Sequence, residues 1–336
     1  MEYREIGPSS PTEVSLSIRP FDLQSLWPLP AQHVVLVRHG ESTGNVIFDR
    51  CSNPDPFARL DAYEEIRRMP PTASWGLTQE GGRQAHAAGI WIHTHQHEFP
   101  ILEQSDDPVP TRPYGARLSS VHKRRVAPQP LFDSCWVSPY ARAVESAVAL
   151  HLEGLSWQFS DKIIERSWGD YEGLGDILFG ERYPEAWKMS REDPFNWAPP
   201  NGESFAQVTY QHTDPMAASG RLIEFLNESS NDESPAKRML IVGHSDLQWG
   251  FRYLFEGMTL GEFRTKYLSR DPAESVTYGQ ITHYTKIDPH TQRLGPAGVL
   301  WMRVIDPMNP ESAKIPWRQL ILAVPDDITT ALARAL

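Results

Sequence analysis

The sequence predicts an α/β protein: a three-layer α/β/α sandwich around a mostly parallel central sheet, with helical cap insertions and a C-terminal extension. Two short apolar runs are typical of buried parallel strands covered on both faces: Val34–Val37, which leads into Arg38-His39-Gly40, and Met239–Val242, which leads into Gly243-His244. Between them, Thr78 to about His95 carries apolar residues at helical spacing behind an N-capping threonine. Strands that alternate with amphipathic helices are typical of an α/β fold.

The length of 336 residues is enough for one large α/β domain with insertions, or for two domains. The first residues are rich in proline, serine and glutamate, and a proline-, aspartate- and arginine-rich stretch without periodicity interrupts the main body. Structureless stretches of that length inside a domain are uncommon and usually functional. The expected division is an N-terminal arm (1–30), a main domain (31–290) with an insertion (97–131) and a cap region (161–204), and a C-terminal extension (291–336) packed on the domain.

Local patterns place the remaining elements. A strand is expected at Ser134–Val137, followed by a helix with Ser138 as its N-cap and Pro139 in its first turn. A second long helix is expected from about Ser204 to Asn227, and residues 46–76 are expected to form a helix and a loop over the site. Shorter elements complete the prediction: helices near Leu247–Phe255 and Leu260–Tyr267, and strands near Val276–Lys286 and Val299–Val304.

Charge and composition exclude several functions. The net charge of -11 argues against broad nucleic-acid binding, so an anionic substrate would need a local cationic pocket. No apolar run approaches the roughly 18 residues of a membrane span, and the N-terminus lacks the apolar core of a signal peptide. Two cysteines, Cys51 and Cys135, cannot make a disulfide framework, which favours a reducing compartment. We therefore expect a cytoplasmic protein.

Several residues could converge on one phosphoryl group. Arg38 and His39 follow the first strand, and His244 follows the later one, at the sheet edge where open α/β sheets bind their ligands. Arg142 lies in the first turn of a predicted helix, where the helix dipole disfavours a cation unless an anion lies beside it. Glu165 lies in the cap region. Each signal is weak alone, since a histidine after a strand is more often structural.

Together these motifs resemble the histidine phosphatase superfamily, in the branch with cofactor-dependent phosphoglycerate mutases and fructose-bisphosphatase-like phosphatases. The resemblance covers roughly residues 33–286 and consists of six motifs in order. These are Arg38-His39-Gly40-Glu41-Ser42 through Asn45, Leu77-Thr78 through Gln84-Ala85, Ser138-Pro139 with Arg142-Ala143, Glu165 with Gly169 and Glu172-Gly173, Gly202-Glu203-Ser204, and Gly243-His244-Ser245.

The resemblance implies a role for each site residue. His39 would be the nucleophile, Glu165 the general acid and base, and Arg38, Arg142 and His244 would hold the transferring oxygens. The substrate-binding set would be Asn45, Ser42, Arg166 and Ser245. A raised pKa for Glu165 is expected from partial burial beside Trp168. Glu41 and Glu203 are expected to be structural. No cofactor or metal is implied, and the expected partner is a small phosphorylated substrate rather than nucleic acid or membrane; the oligomeric state stays open.

Phosphatase is favoured over two alternatives. Mutases of this family resemble Glu-Arg-x-Tyr-Gly in the cap loop, whereas Trp168 replaces that tyrosine here and a downstream pair of arginines has no counterpart. A non-catalytic phospho-ligand-binding protein of the same fold is the second alternative. The acid-phosphatase branch is disfavoured because Glu41-Ser42-Thr43 departs from its first motif. The aromatic cap suggests a substrate larger than the glycolytic acids.

Overall fold

The computed structural model describes residues 31–102, 130–210, 220–230, 236–296, 298–310 and 314–321. The predicted N-terminal arm, most of the 97–131 insertion and the end of the C-terminal extension lie outside these ranges. Among the described residues, no helix is long and apolar enough to cross a bilayer.

A seven-stranded sheet forms the centre, in the order β3-β2-β4-β1-β5-β6-β7. Its strands are β1 (His33–Arg38), β2 (Ser134–Val137), β3 (Trp157–Phe159), β4 (Arg238–Gly243), β5 (Ile281–Thr285), β6 (Val299–Ile305) and β7 (Ile315–Ile321). The four strands from β3 to β1 are parallel, and β5, β6 and β7 continue the sheet in antiparallel pairs. The predicted α/β fold with a sheet that is mostly parallel at its core is confirmed.

Helices cover the sheet and form the cap. In the described ranges they are α1 (Thr43–Arg50), α2 (Pro56–Ile66), α3 (Gln79–Thr94), α4 (Ala141–Ala149), α5 (Asp176–Arg182), α6 (Pro184–Glu192), α7 (Phe205–Thr209), α8 (Arg221–Ser230), α9 (Ser245–Glu256) and α10 (Leu260–Tyr267). The helical character predicted for the cap is present in α5 and α6, which pack with α1 and α2 around an apolar cluster of their own.

Alternating side chains of β1 divide the core into two layers. Val34 and Leu36 pack with residues of α7 to α10 on one face, whereas Val35 and Val37 pack with α3 and α4 on the other. All four side chains are buried, as expected for a parallel strand covered on both faces. The two cores, with the sheet between them, give the predicted three-layer sandwich.

Two predicted helices have different boundaries. Helix α4 begins at Ala141 with Tyr140 as its N-cap, so Ser138 and Pro139 precede the helix instead of starting it. The Ser138 hydroxyl is bonded to the imidazole of His244, which makes it part of the site rather than a cap. The helix expected from Ser204 to Asn227 is two helices, because α7 ends at Thr209 and α8 begins only at Arg221.

Close backbone packing explains one of the two glycines near the start of α3. A β-carbon at Gly81 would lie 2.0 Å from the backbone oxygen of Glu41, in the loop that carries His39, whereas one at Gly82 would meet nothing within 4 Å. Gly81 therefore lets α3 approach the loop after β1, and Gly82 has no such role.

These neighbouring glycines give a matched pair of substitutions. Gly81→Ala should lower the free energy of unfolding by about 1–3 kcal/mol because the loop after β1 must shift. Gly82→Ala should raise it by about 0.5–1 kcal/mol through better helix propensity. Denaturant unfolding of both variants measures the sign of each change in the free energy of unfolding. Equal effects would contradict the assigned contact with Glu41.

Candidate active site

The parallel pairing of β1 with β4 brings two histidines together. Arg38 is in register with Gly243, and the backbone N–H of His39 donates to the Gly243 carbonyl over 2.9 Å. His39 and His244, which come next along the two strands, have ring centroids 5.1 Å apart and are both buried. The predicted convergence of the two strand ends is present in the structure.

Hydrogen bonding fixes the tautomer of His39. Its Nδ1 lies 2.6 Å from the Gly40 carbonyl oxygen, which can only accept, so Nδ1 carries the proton and Nε2 the lone pair. That Nε2 accepts from Arg142 Nε over 3.1 Å. Burial, reinforced by the charges of Arg142 and Arg38, holds the pKa of His39 well below its usual value. The imidazole is therefore neutral, with its lone pair directed into the site.

Two guanidiniums flank this imidazole. Arg142, from the first turn of α4, donates through Nη1 to the Thr72 carbonyl over 2.7 Å. Arg38 donates through Nη1 to the Val276 carbonyl and lies over the Tyr278 ring, 4.1 Å from its centroid. Its buried Nε has no acceptor among the described residues. Carbonyls and aromatic faces hold both cations without neutralising their charge, which suits an incoming anion.

Glu165 faces His244 across the site. Its Oε2 lies 4.0 Å from His244 Nδ1, and its Oε1 accepts from the backbone N–H groups of Arg166 and Asp246 at 3.1 and 3.2 Å. The other nitrogen of His244, Nε2, is bonded to the Ser138 hydroxyl at 2.7 Å. Burial, together with Arg142 and His39, keeps the pKa of His244 well below its usual value, so this ring is neutral too.

The environment of Glu165 raises its pKa from 4.5 to about 7. Burial is the largest cause and the nearby charge of Asp246 the next, while Arg142 acts in the opposite direction. A raised pKa from partial burial beside Trp168 was expected, and burial is indeed the largest cause. The indole of Trp168 lies under the guanidinium of Arg166, at 4.2 Å. The carboxyl can give or take a proton near neutral pH.

The same groups also have a spacing that could suit a metal ion. His39, Glu165 and His244 each place one possible ligand atom within 4.8 Å of the other two. However, the lone pair of His39 Nε2 already accepts from Arg142, and two guanidiniums contribute positive charge. A cation would be repelled where an anion is attracted, so this donor set fits a metal ion poorly.

The residues predicted to bind substrate divide into three groups. Ser42 is the N-cap of α1 and forms a capping box with Asn45, whose side chain also lines the cavity beside His39. Arg166 is buried and paired with Asp246 at 2.7 Å, with its guanidinium also lining that cavity. Ser245 lines a neighbouring cavity instead.

The two carboxylates expected to be structural hold neighbouring elements together. Glu41 accepts from the Thr78 hydroxyl at 2.7 Å, and Glu203 pairs with Arg221 at 2.8 Å. Neither lines the cavity beside His39. Their contacts agree with a structural role.

The cavity beside His39 has a volume of about 540 Å³, and we call it the reaction cavity; the fully buried His244 is not among its lining residues. Arg38, His39, Arg142 and Glu165 line it. Further lining residues had no predicted role: Thr72, Tyr140, Tyr278 and Asp246. Only Asp246 had a sequence signal, as a carboxylate directly after the Gly-His-Ser motif, whereas Thr72 acts through its backbone and the tyrosines lie in loops without a recognisable pattern.

The fold and this site define an α/β protein with a neutral histidine beside an anion-binding cradle. The family model of the histidine phosphatase superfamily (branch 1) matches residues 116–284, and the chain belongs to this superfamily. The matched range contains Arg142, Glu165 and His244. Arg38 and His39 precede it, and the pairing of β1 with β4 joins them to the matched part.

Several solved structures resemble the chain. One described as mycobacterial hydrolase 1 is 19% identical, with a TM-score of 0.48, over 75% of this chain and 91% of its own. Mycobacterial glucosyl-3-phosphoglycerate phosphatase with VO3 is 20% identical, with a TM-score of 0.48, over 76% and 92%. YhfR from Bacillus stearothermophilus is 19% identical, with a TM-score of 0.47, over 79% and 94%. No curated protein sequence matches the chain.

The raised pKa of Glu165 makes stability depend on pH. Between pH 4.5 and about 7 the folded protein binds more protons at Glu165 than the unfolded chain does, so this group destabilises the fold as pH rises. Glu165→Gln removes that effect. The variant should therefore gain about 1–3 kcal/mol relative to the wild type between pH 5 and pH 8.

Denaturant unfolding at both pH values measures this difference. Glu185→Gln, at an exposed position in α6, is the matched control for replacing a carboxylate with an amide. A gain that is the same at pH 5 and pH 8 would show that Glu165 titrates in its ordinary range.

Proposed function

We propose that the protein is a phosphomonoesterase that hydrolyses a small phosphorylated metabolite through a phosphohistidine on His39, with Glu165 as general acid and base. One observation carries the proposal. A neutral imidazole, whose unprotonated Nε2 accepts a hydrogen bond from Arg142, lies beside two guanidiniums and within 4.8 Å of a carboxyl whose pKa is about 7. Membership of the histidine phosphatase superfamily supports this chemistry.

In the first step, His39 Nε2 attacks phosphorus and the bond between phosphorus and the ester oxygen breaks. Arg142 Nε now donates to His39 Nε2, and on binding it transfers that hydrogen bond to a phosphoryl oxygen, which frees the lone pair. The leaving alkoxide takes the proton of Glu165. The products are the alcohol and a phosphoimidazole whose Nδ1 proton remains bonded to Gly40.

In the second step, water attacks the phosphoimidazole while Glu165, now ionised, takes its proton. The bond between phosphorus and nitrogen breaks, and inorganic phosphate leaves with His39 neutral and Glu165 protonated again. A carboxyl with a pKa near 7 suits both roles, because its two forms have similar populations at neutral pH.

Fixed positive charge stabilises the transferring group. Arg38 and Arg142 present donors to the phosphoryl oxygens without moving far, and the planar guanidinium can bind two oxygens at once. If the Ser138 hydroxyl donates to His244 Nε2, the Nδ1 of His244 carries the proton and, having no hydrogen-bond partner among the described groups, can donate it to a third oxygen. Asn45 completes the cradle from α1. No metal ion takes part in these steps.

We also propose a cytoplasmic location and a small phosphorylated partner, with no role for nucleic acid or membrane. The two cysteines support the location, because both are buried and unpaired, as in proteins of reducing compartments. The cationic cradle within a chain of net charge -11 supports a small anionic substrate.

Trapping the intermediate tests the mechanism. His39→Asn should abolish turnover, and Glu165→Gln should lower kcat by about 10²–10⁴-fold because the leaving group and the water lose their proton donor and acceptor. Glu165→Gln should also accumulate acid-labile label from a ³²P-phosphomonoester. His93→Asn, an exposed histidine of α3, is the control.

The same assay separates the alternatives. Release of phosphate without a bisphosphate primer indicates a phosphatase, whereas transfer that needs the primer indicates a mutase-type phosphotransferase. Binding of phosphate without any label on the protein would indicate a non-catalytic phospho-ligand-binding protein and would overturn the proposal.

A further inference from the structure

A second cavity adjoins the reaction cavity on the side of the cap. Its volume is about 720 Å³, and we call it the aromatic cavity because Trp168, Trp187 and Trp197 line it. The two cavities share six lining residues: Arg166, Trp168, Asp176, Phe179, Asp246 and Tyr267. Their combined space exceeds what a phosphate with a three-carbon chain requires.

The polar groups of the aromatic cavity are largely paired with one another. Arg166 pairs with Asp246 at 2.7 Å, and Arg191 pairs with Asp176 at 2.8 Å. Arg270 is exposed at the rim. Each of the two inner guanidiniums has a carboxylate partner, whereas Arg38 and Arg142 in the reaction cavity are held by carbonyl oxygens, which leave their charge available to an anion. The aromatic cavity therefore suits an uncharged polar group rather than a second phosphate.

The aromatic residues indicate the shape of that group. The three tryptophans are half-buried, belong to the apolar cluster of the cap and line the cavity. The guanidiniums of Arg166 and Arg191 cover one face each of Trp168 and Trp187, at 4.2 and 4.6 Å from the ring centroids. The indole N–H of Trp187 donates to Asp176 at 2.9 Å, which fixes the orientation of this ring. Rigid aromatic walls favour a flat apolar face in the ligand.

A sugar ring has both properties. Its C–H face packs on aromatic surface, and its hydroxyl groups both donate and accept hydrogen bonds, as the carboxylates and guanidiniums at the cavity edge require. Ser190, Ser245 and Ser269 add hydroxyl groups around the same space. This also gives a place for Ser245, which lies outside the reaction cavity.

We infer that the aromatic cavity binds a sugar ring of the substrate, so that the phosphomonoester hydrolysed in the reaction cavity is a sugar phosphate. The inference rests on the proposed function, because it assigns the organic part of the same substrate. Arg166 and Asp246, which line both cavities, would lie between the two parts of the substrate.

A substrate series tests the inference directly. Glycerol 3-phosphate has no ring, glucose 6-phosphate has one, trehalose 6-phosphate has two, and AMP offers a nucleobase instead. At least one sugar phosphate should exceed glycerol 3-phosphate in kcat/KM by about tenfold or more, chiefly through a lower KM. Similar values of kcat/KM for all four substrates, or a preference for AMP, would overturn the assignment.

Filling the cavity tests its location. Ser190 lies on α6, and its hydroxyl donates only within the helix, to the Trp187 carbonyl. Ser190→Trp should lower the ratio of kcat/KM for the preferred sugar phosphate to that for glycerol 3-phosphate by about tenfold. Lys188→Trp adds the same bulk to an exposed position of α6 that lines neither cavity, and should keep the wild-type ratio. An unchanged ratio in Ser190→Trp would overturn the inference.

Failure of the proposed function can be recognised separately. If no substrate releases phosphate, calorimetric titration with trehalose, which has no phosphate, tests whether the aromatic cavity binds a sugar. Binding by the wild type and Lys188→Trp, but not by Ser190→Trp, would retain the sugar site in a protein without phosphatase activity. The absence of binding by the wild type would reject the sugar site.

Discussion

The parallel pairing of β1 with β4 is the constraint on which the site depends. The register of Arg38 with Gly243 makes both strands end at the same edge, so the next residues, His39 and His244, must lie side by side. A shift of one residue in either strand would send its buried side chains to the other face and would separate the two imidazoles. The apolar cores on both faces therefore hold the geometry of the candidate site, although they contain none of the charged residues that line it.

The charge that surrounds His39 is opposite in sign to the net charge of the chain. The net charge is -11, yet Arg38 and Arg142 bring two guanidiniums against a buried imidazole. Carbonyl oxygens of Val276 and Thr72 provide hydrogen bonds without negative charge. Glu165, one of the carboxyl groups that line the cavity, has a pKa raised to about 7, which reduces its negative charge at neutral pH. An anion is consequently the group that would best offset the buried positive charge.

Much of the fold could be predicted because the strands around the site carry strong local patterns. The runs that became β1, β2 and β4 are apolar and end at glycine or serine, and α3 and α10 have capping threonines. The edge strands β3 and β7 were not predicted. β3 has three residues and is largely exposed, and β7 alternates without a clear apolar face, so neither has a pattern that differs from a loop.

The residues proposed as catalytic could be selected from the sequence because Arg38, His39, Arg142 and His244 lie beside a recognisable strand end or helix start, whereas Glu165 was selected only through the motif resemblance. The supporting residues could not. Tyr278 and Tyr140 contact the guanidiniums from loops. The bond between Ser138 and His244 joins residues that are distant in the chain, and Ser138 was interpreted as a helix cap because a serine before a proline usually is one. Local sequence carries propensity, whereas these contacts follow from the tertiary arrangement.

Asp246 connects the two cavities chemically as well as spatially. Its backbone N–H binds Glu165, its charge raises the pKa of Glu165, and its carboxylate pairs with Arg166 on the shared wall. Any ligand group that draws Arg166 away from Asp246 would leave that negative charge less compensated and would strengthen the proton affinity of Glu165. One ion pair, Arg166 with Asp246, would then affect both the binding of the organic part of a substrate and the protonation of Glu165, the proposed general acid. This arrangement would favour proton donation when the cap side is occupied.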